Sequence, residues 1–180
     1  MNDKLVHTQI AGKFNAYNLI AVYAVADILG LDQSKSIELL SKIKPVEGRF
    51  QVIVKNGITG IIDFAHTPDA IEKVLVSVKD YVKSDGLIIT VVGCGGGRDK
   101  EKRNKMGDVL SELSDLTIFT SDNPRNEDPN QIIEDMLRGV DNKKIKKVKT
   151  IIDRKDAIKY AVSILKVNDI LLILGKGHEK

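Results

Sequence analysis

The chain contains no tryptophan, one cysteine, four prolines, four tyrosines and four phenylalanines in 180 residues. The lone cysteine, Cys94, excludes an intrachain disulfide framework and a cysteine-rich metal centre. So few aromatic rings leave little of the stacking platform that binds single-stranded nucleic acid. Charge of one sign is scarce too: 28 Lys and Arg stand against 25 Asp and Glu, a net +3 that implies no nucleic-acid partner. The one dense basic stretch, "KKIKKVK" at 143–149, reads as a solvated edge. No apolar run approaches the ~20 residues needed to cross a bilayer, and no signal peptide opens the chain. The expectation is therefore a cytosolic (cytoplasmic) protein with no membrane partner.

What is present suits a globular core: 42% of residues are hydrophobic and 29% charged. The first forty-odd residues differ from the rest. "NAYNLIAVYAVADILG" is apolar almost all round and reads as a helix buried in a larger body, closed by Gly30. "SKSIELLSKI" reads as a second, amphipathic helix. "KPVEGRF" then carries proline and glycine and marks a domain boundary near residue 46. Beyond it, Asn-Gly between "FQVIV" and "ITGIID" predicts a β-hairpin. Thr67-Pro68 predicts the start of a helix with Ile71, Val74, Leu75, Val78 and Val82 on one face. "LIITVV" and "LTIFT" predict buried strands flanking a helix marked by Met106, Val109, Leu110 and Leu113. Asp128-Pro129-x-Gln131 predicts a further helix in capping-box style. A weaker strand near "VKTII", a helix from Asp153 to about Leu165 and a last strand "ILLIL" complete the pattern. Strands apolar on both faces, alternating with helices, indicate an α/β fold: a Rossmann-like, mostly parallel sheet with helices on both faces, entered by a hairpin. With no helix after "GKGHEK" to cover the last strand, the domain reads as truncated.

In open sheets of this class, ligands bind outside the carboxyl ends of the strands. Those ends carry Asp63 to His66, Gly93 to Asp99, Ser121 to Arg125, Asp153-Arg154 and Gly175 to Glu179, whereas the opposite ends carry ordinary turns. That asymmetry predicts a cleft. "VVGCGGGRD" begins like a dinucleotide fingerprint, but Arg98 stands at the third glycine position, and no Gly-Lys-Ser/Thr follows. The segment is either a tight turn or an anion site, and Arg98 favours the anion. Asn15 and Asn18 share one helix face and need partners, either within the fold or in a ligand. Asp63 and His66 read as turn and packing residues or as a base or metal pair. Cys94 has no base beside it that would make it a nucleophile. In "TSDNPRNEDP", Asp-Asn-Pro starts a turn and Asp128-Pro129 a helix, but neither requires Arg125.

Taken together and in order, "GKFNAYNLIAV", "EGRF", "IIDFAHTPDA", "GCGGGRDKEKR", "TSDNPRNEDP", "DRKDAI" and "LGKGHE" resemble the closing third of the Mur ligases. The nearest type adds meso-diaminopimelate to UDP-N-acetylmuramoyl-L-alanyl-D-glutamate. The resemblance runs from about Gly12 to Glu179. It implies that residues 1–46 are the helical tail of a central ATP-binding domain and that 47–180 are the C-terminal Rossmann-like domain. It also implies an amide made from a carboxylate and an amine through an acyl phosphate, with ATP and Mg2+ as cofactors. Asn15 and Asn18 match adenine-side residues of the family, Arg49 an arginine reaching the phosphates, and Asp63 a ribose-facing aspartate with His66 beside it. Arg98, Asp122, Asn123, Pro124, Arg125, Gly175 and Glu179 match the pocket for the incoming diamino acid.

The sequence departs from the family pattern in three ways. The family's P-loop, acidic magnesium ligand and carbamylated lysine have no counterpart in these 180 residues, the closing helix is absent, and Gly97 stands where relatives often place an acid. The chain is thus expected to be an excised portion, inactive alone. The alternative from another class is a free-standing Rossmann-like nucleotide-binding or regulatory module. A dehydrogenase domain is disfavoured by Arg98 and by the hairpin entry.

Overall fold

A computed structural model describes residues 6–179 and resolves the apolar periodicities into six α-helices, six strands and one short 3-10 turn among the described residues. Two compact units result, Met1–Val46 and Glu47–Lys180. In the first, α1 (Lys13–Ile28) and α2 (Gln33–Ser41) bury Leu19, Tyr23 and Leu40 together, with Ile10, Ile37 and Ile43 packed against them. Phe14 and Ala26 are half-buried, while Tyr17, Ile20, Val22, Val25 and Ile28 stay exposed, Ile28 by 83%. Gly30 ends the helix at φ 72, while Leu31 N–H reaches Ala26 O and Gly30 N–H reaches Asp27 O, a Schellman stop.

The second unit is built on a sheet of β1 (Gln51–Lys55), β2 (Ile58–Asp63), β3 (Ile88–Cys94), β4 (Leu116–Ser121), β5 (Val148–Thr150) and β6 (Ile170–Leu174). Their order is β1-β2-β6-β3-β4-β5; β1 runs antiparallel to β2 and every other pair is parallel. Asn56 and Gly57 turn the hairpin at φ 52 and 78, both left-handed, as a type I′ turn requires. The strand β3 is buried along its whole length, which explains its unbroken apolar run.

Four helices cover this sheet: α3 (Pro68–Lys79), α4 (Glu101–Leu113), α5 (Pro129–Leu137) and α6 (Arg154–Ile164). The small residues Ala157 and Ala161 seat α6 on Ile89, Val91, Ile118 and Leu171. The helices α3, α4 and α5 pack in series. A Cβ at Gly107 would stand 1.9 Å from Met136 O, and one at Gly139 1.7 Å from Asn104 O, so α4 and α5 meet backbone to backbone.

The local rules held with three adjustments. Thr67 caps α3 through Ala70 N–H, but the helix ends at Lys79, leaving Val82 half-buried beyond it. Asp128 caps α5 through Asn130 N–H, yet Gln131 turns to Asp135 and leaves the capping box incomplete. The buried face of α4 is Arg103, Met106, Gly107, Leu110 and Ser111, rotated away from Val109 and Leu113. Both residues that rotate it inward are unusual: a glycine allows close approach, and an arginine brings charge into the core.

The order of the strands decides where the loops gather. From β2 the chain moves two places along, lays β3, β4 and β5 outward, and returns to place β6 in the gap. The carboxyl ends of β2, β6, β3 and β4 are therefore consecutive. That is the switch point at which open parallel sheets leave a crevice.

Candidate functional site

The loops after those four strands enclose a polar cavity of about 120 Å3. Phe64 and His66 come from the β2 loop, Gly93 to Gly95 and Arg98 from β3, Asp122, Asn123 and Arg125 from β4, and Gly175 and Glu179 from β6; Lys102 joins from the first turn of α4. Three cations, Arg98, Lys102 and Arg125, thus face two carboxylates, Asp122 and Glu179. Such a mixture suits a small zwitterion carrying further charge of both signs.

Glycines of the β3 loop let it dock on the β4 loop. A Cβ at Gly96 would lie 1.9 Å from Pro124 O, and just before the loop, at the end of β3, one at Gly93 would lie 2.6 Å from Thr120 O of β4. Two of the amides that could have cradled an anion are taken: Gly96 N–H donates to Asn123 O at 3.0 Å and Gly97 N–H to Glu127 Oε1 at 2.6 Å. Of the anion site read from this segment, the exposed side chain of Arg98 remains available. Arg125 reaches across the same seam, Nη1 donating to Gly96 O at 2.7 Å and to Asn123 O at 3.3 Å, from a backbone held at φ 53. Asn123 Nδ2 donates to Glu179 Oε2 at 3.1 Å and ties the β4 loop to the β6 loop. Pro124 does not line this cavity; it borders an open depression with Asp122, Asp153, Arg154 and Lys176.

Arg49, Asp63 and His66 sit at the β2 side. Asp63 is buried, and its two oxygens accept Phe50 N–H and Ala65 N–H, both at 2.7 Å. Its visible work is to brace the loop that presents Arg49. A Cβ at Gly48 would meet His178 N at 2.2 Å, so this loop also packs tightly on the one after β6. The Arg49 guanidinium stacks 4.4 Å from the Phe64 ring centre, and the His66 ring meets Phe64 edge-on at 4.8 Å. Asn15 and Asn18 belong to the first unit, where Asn15 Nδ2 donates to Ala11 O and Asn18 Nδ2 to Asn15 Oδ1. Asn15 spends its own amide on the chain just ahead of the helix, which answers the need for partners.

Sequence reasoning passed over Lys102 and Arg103. Lys102 lines the cavity and donates to His66 O at 2.9 Å, linking α4 to the β2 loop. Arg103, fully buried, holds Glu127 with two nitrogens and Asp135 with one. Hydrogen bonds from Arg103, then from Gly97, lower the Glu127 carboxyl to about 2. The signal was legible: Arg103 stands three and seven residues before Met106 and Leu110, on the buried stripe. Arg154 donates to Leu174 O at 2.7 Å, and burial pulls its basicity down, offset by the charge of Asp122. Burial pushes the Cys94 thiol up, against any nucleophilic role. The basic stretch forms the 3-10 turn and the edge strand β5, where Lys149 lies 4.3 Å over the Tyr160 ring and Lys144 pairs with Glu112.

The family model for the "Mur ligase, glutamate ligase domain" matches residues 48–177. The chain belongs to the Mur ligase family. It is 46% identical over 180 residues to the UDP-N-acetylmuramoyl-L-alanyl-D-glutamate–2,6-diaminopimelate ligase of Phocaeicola vulgatus, covering 99% of this chain and 37% of that protein. The ligase of the same name from Cytophaga hutchinsonii is 49% identical over 172 residues, covering 95% of this chain and 35% of the relative. A solved structure of a ligase of that name superposes with a TM-score of 0.70 at 39% identity, over 97% of this chain and 35% of that one. The Mur ligase portion seen here therefore spans little more than a third of the length of the relatives it matches, and the matched part is their C-terminal portion.

Proposed function

We propose that this chain supplies the amino-acid-binding part of an ATP-dependent ligase that joins meso-diaminopimelate to UDP-N-acetylmuramoyl-L-alanyl-D-glutamate in peptidoglycan precursor synthesis, a cytoplasmic reaction. The observation that carries the reading is the cleft itself, which presents Arg98 and Arg125 beside Asp122 and Glu179. Diaminopimelate has a carboxylate and an ammonium at each end. Arginine grips a carboxylate through two parallel hydrogen bonds, and a carboxylate accepts an ammonium. Asn123 orients Glu179, while Gly175, at φ 104, leaves room for the Asp122 carboxylate, which a Cβ there would approach to 3.2 Å. Pro124 stiffens the loop that carries Arg125.

On this reading ATP drives the ligation by activating the acceptor carboxylate. In the second unit Arg49, Asp63 and His66 are assigned to the nucleotide side; in the first, Asn15 and Asn18 are assigned to the adenine. Arg49 fits such a role, because its guanidinium is exposed and pre-oriented on Phe64. Asp63 fits less directly, since both its oxygens already brace backbone amides. The described residues hold no group of three His, Cys, Asp or Glu that could bind a metal, so Mg2+ is assigned to residues outside them.

The test is a ligation assay on the full-length enzyme with ATP, Mg2+, the UDP-muramoyl dipeptide and diaminopimelate, lysine or ornithine in parallel, the product being weighed by mass spectrometry. A UDP-muramoyl tripeptide formed preferentially with diaminopimelate is expected. Preference for ornithine or lysine would overturn the substrate, and failure with all three would overturn the ligase reading.

A further inference from the structure

Beside the cleft lies a charge cluster to which neither the fold nor the ligand reading assigns a task. Arg103 of α4 is completely buried, its Nη1 3.0 Å from Glu127 Oε2 and 2.9 Å from Asp135 Oδ2, its Nη2 2.9 Å from Glu127 Oε1. Glu127 in turn receives Gly97 N–H at 2.6 Å and pairs with Lys100 at 3.2 Å. Its carboxylate thus occupies the place that a bound anion takes at other glycine-rich loops. Stability alone is a poor reason to keep such a cluster, since apolar replacements of buried ion pairs are often neutral or stabilising.

The position of the cluster is more telling. Gly97 immediately precedes Arg98, and Glu127 follows Arg125 by two residues. The clasp therefore joins the two loops next to the two arginines of the cleft. Arg125 closes the same seam from the other side through Gly96 O at 2.7 Å. An exposed arginine on a glycine loop has many rotamers and a soft backbone; fixing the backbone on both sides removes much of that freedom before a ligand arrives.

We propose that Arg103 and Glu127 are positioning residues of the amino-acid cleft, a buried arginine–carboxylate clasp that fixes the separation of Arg98 and Arg125 and so selects substrates with a carboxylate at the far end. The inference rests on the reading of the cleft as the diamino-acid site. Neither residue touches the substrate. Their effect on activity must therefore pass through the two cleft arginines.

The experiment uses the full-length ligase carrying this chain, with Glu127→Gln measured alone and combined with Arg125→Ala. Glu127→Gln should raise the KM for diaminopimelate about ten-fold or more, with kcat and the ATP KM changed less than about two-fold. In the Arg125→Ala background the same change should add less than about two-fold, because the group being positioned is gone. Full additivity, or an equal rise for lysine and diaminopimelate, would overturn the proposal and make the clasp a plain fold brace. A wild-type enzyme that ligates no diamino acid would instead sink the parent reading, and the proposal with it. Because changes at buried Arg103 risk the fold, the second readout is the backbone amide spectrum of the 180-residue chain. Glu127→Gln should move the Gly97 and Arg98 resonances and leave those of β6 in place; unmoved Gly97 and Arg98 would also refute the clasp.

Discussion

Arg125 is held at φ 53, a left-handed backbone that costs a side-chain-bearing residue roughly 1–2 kcal/mol. Strain of this kind persists where the surroundings over-determine it, as loops around binding sites do. Two substitutions separate backbone from head group. Arg125→Gly and Arg125→Ala both delete the guanidinium, but only glycine relieves the φ. In chemical denaturation the glycine variant should be the more stable of the two by roughly 1 kcal/mol. In the full-length enzyme both should cut kcat/KM for diaminopimelate by at least about thirty-fold, the lower bound for stripping a desolvated charge of its partner, while sparing the ATP KM. Lysine, with no far carboxylate to lose, should suffer less; equal losses would mean that Arg125 only supports its loop.

Glu127 is the group through which acid reaches the same loop. Bonds from Arg103 and from Gly97 hold its carboxyl at about 2 against an ordinary 4.5. A carboxyl depressed in the folded state contributes stability that is complete above its unfolded value and is lost as pH falls through its folded value. Denaturant midpoints of wild type and Glu127→Gln should therefore differ at neutral pH and converge as the pH drops from about 4.5 toward 2. A gap that stays constant over that window would show that the charge of Glu127 contributes nothing to folding.

Among the elements, the close α4–α5 crossing at Gly107 can be contrasted with the open helix end at Gly30. Gly107→Ala would press a Cβ to 1.9 Å from Met136 O, backbone that cannot rotate away. The helices must part, at a cost of about 1–3 kcal/mol or more. Gly30→Ala meets open space but a φ of 72, so only backbone strain of roughly 1–2 kcal/mol applies. Hydrogen exchange should report the difference: Gly107→Ala speeds exchange in both α4 and α5, Gly30→Ala only at the end of α1. Confinement of the Gly107→Ala effect to α4 would contradict the close crossing.

The same elements show what the sequence could and could not reveal. Periodicity and turn signals sufficed for most elements: α3, α5 and α6 bury a face whose spacing is set by helix geometry, while exposed β1 was legible only through the Asn-Gly turn that follows it. Periodicity misplaced the face of α4, where a glycine and an arginine do what apolar residues usually do. The cleft was legible as polar strand ends, since only one edge of the sheet carried them. The clasp was not, because Arg103 and Glu127 lie 24 residues apart, and pairing across that distance depends on how the loops fold. Asp63 was read as a ligand or turn residue; its bracing of Phe50 N–H, 13 residues away, is likewise a product of tertiary structure.

For the whole molecule, the chain has two compact units and spans just over a third of its relatives' length. No helix among the described residues is long and apolar enough to cross a membrane. A helix that buries only Leu19 and Tyr23 is held by few contacts, whereas β3 is buried throughout. Exchange of α1 amides should accordingly be faster than that of β3 in the 180-residue chain. Catalysis sets a stricter requirement than folding. Phosphoryl transfer is achieved almost wholly by positioning the phosphates and neutralising their charge. These 180 residues contain no Gly-x4-Gly-Lys-Ser/Thr loop and, among those described, no metal-binding cluster. Residues 1–180, folded and supplied with ATP, Mg2+, the UDP-muramoyl dipeptide and diaminopimelate, should therefore release no phosphate above the enzyme-free background, while the full-length enzyme does under the same conditions. Turnover by the 180-residue chain that is lost on Arg98→Ala or Arg125→Ala would show that this cleft can activate a carboxylate unaided, and the division of labour proposed here would have to be abandoned.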